Sequence, residues 1–245
     1  MKILCMLPAA KGVYPDEAEQ RRFALMRSYA NESTIIDVDY MPQDSGFSPW
    51  GGSDEPEVRN VGLANKFATE LARMAESGGY DAFCPFGTLD IGVIEARNAG
   101  VRIPVVGQAE TSMLYCGLMG RRFASCSYIG SEKGRKRIRE HATSLGVGEL
   151  YVGPTAIGIP NSEYPKRRSE VLERFVDCAR EARSLGAEVM GLVAMSICPT
   201  EFSAKELSEA CGMPVVDALA AQISLAEMWH RTGLPPELLR IPRNS

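Results

Sequence analysis

The chain has 245 residues, 45% of them apolar and 24% charged, with a formal net charge of −4. This composition excludes a low-complexity or disordered chain, and the acidic balance argues against a nucleic-acid surface. The length suits one large α/β domain or two small lobes.

Residues 2–7 read as a first β-strand, too short and lacking the cleavage pattern of a signal peptide. The loop Pro8-Ala9-Ala10-Lys11-Gly12-Val13-Tyr14-Pro15 leads into a helix over 16–29. Ser33 to Tyr40 alternates like a strand, and 42–56, rich in Gly, Ser, Pro and Asp, is either a loop long enough to cover a site or a disordered surface excursion. Residues 58–77 carry helical periodicity at Leu63, Phe67, Leu71 and Met74. An apolar run from Tyr80 then ends in the glycine turn Gly87-Thr88, followed by a helix and the strand Ile103-Pro104-Val105-Val106.

The second half repeats this order. Strand 122–129, helix 131–144, strand 149–152 and a long amphipathic helix over 164–185 precede strand 187–197, helix 202–211 and strand 213–216. A last helix, 217–232, is expected to pack back on the first lobe. The expected fold is α/β: two similar lobes, each a parallel four-stranded sheet flanked by helices, related by a pseudo-twofold. The first lobe is expected to hold 1–107 plus 217–245 and the second 108–216, with a cleft between them. Parallel sheets bind ligands outside the carboxyl ends of their strands, so the turns at Gly87-Thr88 and at Ser196 to Thr200 are expected to face one ligand.

No stretch reaches transmembrane length, so neither a membrane nor a nucleic acid is expected as a partner, and the expected location is the cytoplasm. The seven cysteines stand singly, without the C-x-x-C spacing of a zinc or redox site, so no metal is expected. The basic cluster Lys133 to Arg139 reads as a solvated helix face. His141 and His230 fall within expected helices, as surface or packing residues.

Several residue types carry candidate chemistry. Thr88 follows a glycine and opens a helix, so its hydroxyl and nearby backbone N–H groups either bind an anion or cap the helix. If 187–197 continues as a strand, residues 194, 196 and 198 share a face, and Ala194, Ser196 or Cys198 reaches the ligand. Cys198 alone among them carries an acid of suitable strength, a thiol near pKa 8.5 that helix N-terminal dipoles are expected to move toward neutrality; its other reading is a buried core thiol. Cys84 precedes Pro85 as Cys198 precedes Pro199, and the other five cysteines read as structural. Tyr128 either lines the cleft or packs in the core. Thr200 has capping chemistry like that of Thr88, and Lys11 is either a replacement base or carboxylate clamp, or a solvated loop residue.

Four segments carry a family resemblance: Gly87 to Arg97, Ile103 to Glu110, Gly120-Arg121-Arg122-Phe123, and Gly186-Ala187-Glu188-Val189 leading to Met213-Pro214-Val215-Val216-Asp217. Together they resemble the aspartate/glutamate/hydantoin racemase superfamily. The resemblance implies a cofactor-independent enzyme that moves a proton at a carbon next to a carboxylate or carbonyl, with one cysteine per lobe on opposite faces of the substrate. Counted from Asp81, the first of those cysteines falls on Gly87; counted from Glu188, the second falls on Ala194, whereas a count back from Pro214 lands nearer Ser196 or Cys198. The arylmalonate decarboxylases, a branch of the same superfamily, also have glycine followed by threonine at the first position. They are similar too in Pro8-Ala9-Ala10, with Val13 and Pro15, and in Tyr128-Ile129.

What the resemblance implies for the site is Cys198, Ser196 and Tyr128 as catalytic residues, with Pro8, Ala9, Lys11, Gly87, Thr88, Leu89, Tyr128 and Thr200 binding substrate. In the decarboxylase branch threonine and tyrosine hydroxyls bind a carboxylate and one second-lobe cysteine protonates the enediolate. The implied function is a racemase, isomerase or decarboxylase working at the α-carbon of a small carboxylate or hydantoin-like substrate, without cofactor and as a homo-oligomer. The alternatives are a non-catalytic small-acid binder, or a lyase or hydrolase using the same cleft.

Overall fold

A computed structural model describes residues 1–13, 16–43, 45, 61–87, 89–128 and 132–233. Thr88 and most of the loop 42–56 lie outside the described residues. The chain divides into two compact units. The first runs to Gln108 and resumes at Gln222; the second includes Ala109–Ala221.

In the first unit, β1 (Lys2–Leu7) is the central strand, flanked in parallel by β2 (Ile35–Tyr40) and β3 (Ala82–Pro85) in the order β2-β1-β3. The apolar run Ile3 to Leu7 is buried throughout, as a central parallel strand covered on both faces requires. Helices α1 (Asp16–Tyr29), α2 (Val61–Ser77) and α3 (Val93–Asn98) complete the unit together with α8 (Ala218–Thr232), which from Gln222 onward belongs to it. Gly92 seats α3 against α2: its φ is 77°, and an added Cβ would lie 2.3 Å from the Ala68 Cβ. Its N–H donates to Asn65 Oδ1 at 2.9 Å.

The second unit has the same strand order. Here β4 (Phe123–Ser127) is central, between β5 (Tyr151–Ala156) and β6 (Val189–Val193), in the parallel order β5-β4-β6. Around them lie α4 (Gln108–Leu118), α5 (Glu132–Ser144), a 3-10 turn at Asn161–Lys166, α6 (Arg168–Ser184) and α7 (Ala204–Cys211). Ser203 and Glu206 form a capping box at the start of α7, and Gly212 ends it in the left-handed conformation. Arg135, Lys136 and Arg139 of α5 are exposed, as expected of its basic cluster.

Both sheets have three strands, not the four expected. The fourth is reduced in each unit to an isolated parallel bridge, Phe83 with Val105 and Met190 with Val215. Proline precedes each bridging residue. Pro104 and Pro214 accept from Phe83 and Met190 (2.8 and 2.9 Å) but have no N–H with which to extend the ladder. Strand β5 also begins and ends later than 149–152, and it runs through Gly153 and Pro154, which an edge strand tolerates.

The expected strand 187–197 stops at Val193. The N–H groups of Ile197 and Cys198 both return to the Ala194 carbonyl, at 2.8 and 3.0 Å, so the chain turns in helical fashion from Ala194. Alternation along a strand therefore does not govern residues 194, 196 and 198. Among the described residues no helix is long and apolar enough to cross a membrane.

All seven cysteines are buried and free. Burial holds the Cys5 and Cys198 thiols well above their ordinary range and pushes Cys116 to about 12. A thiol of the unfolded chain ionises near pH 8.5, so the folded state retains protons that the unfolded state releases at higher pH. Their contribution to stability is complete below about pH 8.5 and declines as pH rises from there toward the folded values. Urea unfolding at neutral pH and at pH 10 is therefore expected to show a lower midpoint at pH 10. A midpoint constant across that range would contradict it.

Candidate functional site

In the first unit the carboxyl ends of β1 and β3 lie side by side. The Phe86 N–H donates to the Met6 carbonyl at 3.0 Å, carrying the β1–β3 pairing one residue past β3. Pro8 and Ala9 are buried just beyond β1. Gly87 has φ 123°, and a Cβ added there would lie 4.0 Å from Pro8 Cγ, so these two sequence-predicted residues are brought together. Lys11 is exposed in the following turn, and Leu89 packs half-buried against the first unit's apolar cluster.

Beneath this turn lies a polar floor that the sequence did not disclose. The Gly87 N–H donates to Gln108 Oε1 at 3.0 Å, and Gln108 is fully buried. Asp90 is buried at φ 48°, a left-handed conformation uncommon outside glycine. Its carboxyl occupies the space over Gly107, where an added Cβ would be 2.5 Å from Asp90 Cγ, so glycine at 107 is what admits the carboxylate. Gln222 reaches in from α8 and donates through Nε2 to the carbonyls of Pro85 and Val106, at 2.9 and 2.7 Å. These two donations fix the orientation of the amide. Its Oε1 is buried and has no partner among the described residues.

One signal for Gln222 exists in the sequence. Ala218, Leu219, Ile223 and Ala226 mark the buried face of α8, and Gln222 interrupts that face with a polar group. For Asp90 and Gln108 no comparable periodic signal is present. Arg97, also buried, donates through Nε and Nη2 to the Val105 carbonyl, at 3.1 and 2.5 Å, tying α3 to the bridging segment.

In the second unit Tyr128 follows β4 and packs, half-buried, against the apolar cluster that contains Ala194, Ile197 and Cys198. The i to i−4 bond from Cys198 to Ala194 places these two side chains on one side of a helical turn, with Cys198 above Ala194. Ser196, two residues along, falls on another side and is half-buried; Thr200 is buried. The Cys198 thiol is fully buried. Burial raises its pKa, reinforced by the negative charges of Asp217 and Glu206, so it stays protonated at neutral pH and is a weaker acid than an exposed thiol, opposite to a shift toward neutrality. Cys84 instead pairs in register with Cys5, and their thiols are hydrogen-bonded inside the first sheet. His230 lies 3.8 Å from Asp81, at the amino end of β3 and so at the opposite end of that strand from the Gly87 turn.

A buried neutral thiol is a donor suited to a carbanion, while glycine turns and helix starts present N–H groups to anionic oxygens. The family profile described as Asp/Glu/Hydantoin racemase matches residues 55–226. A hydantoin racemase of Rhizobium meliloti is 26% identical over 196 residues, covering 78% of this chain and 75% of the relative. Among solved structures, allantoin racemase from Pseudomonas fluorescens is similar with a TM-score of 0.77 at 19% identity, over 100% of this chain and 98% of its own. Arylmalonate decarboxylase is similar with a TM-score of 0.55 at 14% identity, over 96% of this chain and 94% of its own. At these identities the structural likenesses establish the fold.

Proposed function

The chain belongs to the Asp/Glu/hydantoin racemase family, and from that premise we propose a cofactor-independent enzyme that protonates one face of a carbanion formed next to a carboxylate or carbonyl. The observation that carries this reading is the placement of thiols. Gly87 and Ala194 occupy the two positions where the family resemblance expects cysteine, and Cys198 stands one helical turn above Ala194. A single acid on one side favours decarboxylation followed by stereospecific protonation over racemisation, which needs a group on each face.

In this proposal the units are related by a pseudo-twofold, and the carboxyl ends of their sheets share one small carboxylate or cyclic amide. Loss of carbon dioxide from a malonate-type acid leaves an enediolate. The hydroxyls of Thr88 and Tyr128 and the turn N–H groups hold its oxygens. Cys198 Sγ delivers its proton to the carbon, and the resulting thiolate is reprotonated from solvent. Ser196, Thr200, Pro8, Ala9, Leu89 and Lys11 shape or orient the ligand. The enzyme acts in the cytoplasm as a homo-oligomer, without nucleic-acid or membrane partners.

A panel of amino acids, 5-substituted hydantoins, allantoin and aryl malonates in deuterated water tests this by NMR. Decarboxylation or α-deuteration of at least one class, with label on a single face, is the expected result. The burial of Cys198 in an apolar cluster also favours a second reading, a small-acid binder without turnover. Saturable binding with no exchange, decarboxylation or isomerisation across the panel would establish that reading in place of the first.

A further inference from the structure

We propose that the cleft along the free edge of β5 is a second ligand site, one that takes an organic phosphate: a phosphomonoester with an apolar or aromatic body. It lies wholly in the second unit and is independent of the reaction proposed above. As an edge strand, β5 sends Tyr151 into the cluster that holds Ile138 and Ala142 of α5, and Val152 into the cluster that holds Phe175 and Ala179 of α6. One helix therefore covers each face. Where the two overhang the strand's open side they leave a cleft of about 480 Å³, within the roughly 300–1,000 Å³ of small-molecule sites.

One wall is cationic. Arg135, Lys136 and Arg139 of α5 line it, and Arg135 and Arg139, four residues apart, stand one above the other. Arg139 is seated, its guanidinium carbon 5.8 Å from the centroid of the Tyr151 ring. Burial raises the Tyr151 hydroxyl above its ordinary range, and the charges of Arg139 and Arg135 both oppose that rise, so the two guanidiniums act on one place. Exposed arginines elsewhere in this unit, Arg167, Arg168 and Arg180, each hold a carboxylate. Arg135 and Arg139 hold none among the described residues, although Glu132 and Glu181 line the same cleft. Their charge is left for a ligand.

The other wall is apolar, formed by Val152, Pro154 and Leu185, the last 49% exposed. Gly153 joins the walls: a Cβ added there would lie 3.7 Å from Arg139 Nη2 and 3.9 Å from Leu185 Cδ1, so glycine keeps the floor between them open. A phosphomonoester carries about two negative charges at neutral pH and three acceptor oxygens, enough to engage both guanidinium forks, whereas a carboxylate brings one charge to two cations. Its organic body then meets Leu185. A peptide strand gains little here, because Pro154 has no N–H with which to continue a ladder.

Calorimetric titration of the full chain with phenyl phosphate tests the site, with inorganic phosphate and benzoate as comparison ligands. Saturable binding of phenyl phosphate is expected, at least about tenfold tighter than of either comparison ligand. Arg135→Gln combined with Arg139→Gln is expected to weaken it at least about tenfold with an unchanged circular dichroism spectrum, since charge-assisted contacts are lost. Lys66→Gln combined with Arg73→Gln removes as much charge from the exposed face of α2 in the first unit and should leave the affinity unchanged. Leu185→Ser should erase the preference for phenyl phosphate over inorganic phosphate while both still bind. Absence of saturable binding, benzoate bound as tightly, or an affinity that survives the double arginine variant or falls as far in the α2 control would overturn the proposal.

Discussion

Replacing Cys198 with alanine is expected to reduce turnover by about 10²- to 10⁴-fold, the usual worth of a positioned general acid, while substrate still binds. The split matters because a purely structural thiol would affect stability and leave the rate per folded molecule unchanged. Cys198→Ser should not rescue, since a hydroxyl is far too weak an acid to replace the thiol. A thiol at the neighbouring position should: Ala194 shares a face of the turn with Cys198, so Ala194→Cys in the Cys198→Ala background is expected to recover part of the rate. The pH dependence adds an independent check. Burial holds the wild-type thiol protonated beyond its ordinary range, so turnover should persist through pH 9 instead of declining with ordinary thiol ionisation. A Cys198→Ala protein with full activity, or a wild-type rate that rises with thiolate formation, would remove Cys198 from the chemistry.

What the sequence disclosed and what it concealed divide along one physical line. Apolar runs and glycine turns report local constraints, so the strand–helix order and the turn at Gly87 were legible. The number of sheet strands was not. Whether Val105 and Val215 begin a fourth strand or form a single bridge depends on a proline N–H that is missing. The register after β6 failed for a similar reason: the chain leaves the extended conformation at Ala194, which turns a strand-face argument into a helical one. It separates Ser196 from Cys198 while keeping Cys198 with Ala194. The polar floor was hidden because its bonds are long-range. Gln108 meets Gly87 across 21 positions and Gln222 meets Pro85 across 137, distances at which periodicity carries no information. Asp90 sits inside a segment quoted for its family resemblance, yet its left-handed backbone and its fit over Gly107 are visible only in three dimensions.

Gln222→Met is expected to destabilise the protein by about 2–4 kcal/mol, because it strips the donors from two carbonyls without opening a cavity. Methionine has nearly the same length and flexibility, so the apolar contacts of α8 survive. The carbonyls of Pro85 and Val106 are left unpaired at the carboxyl edge of the first sheet. For a chain of this size each kcal/mol lowers Tm by about 2–4 °C, so a decrease of roughly 5–15 °C should appear in thermal unfolding. Gln222→Glu discriminates between loss of donors and loss of packing. Its carboxylate would face two carbonyl oxygens, and protonation would restore one donor, so this variant alone should become relatively more stable as pH falls through the carboxyl range. A Gln222→Met protein as stable as wild type would mean that the two carbonyls find other donors and that α8 is held to the Gly87 turn by its apolar face instead.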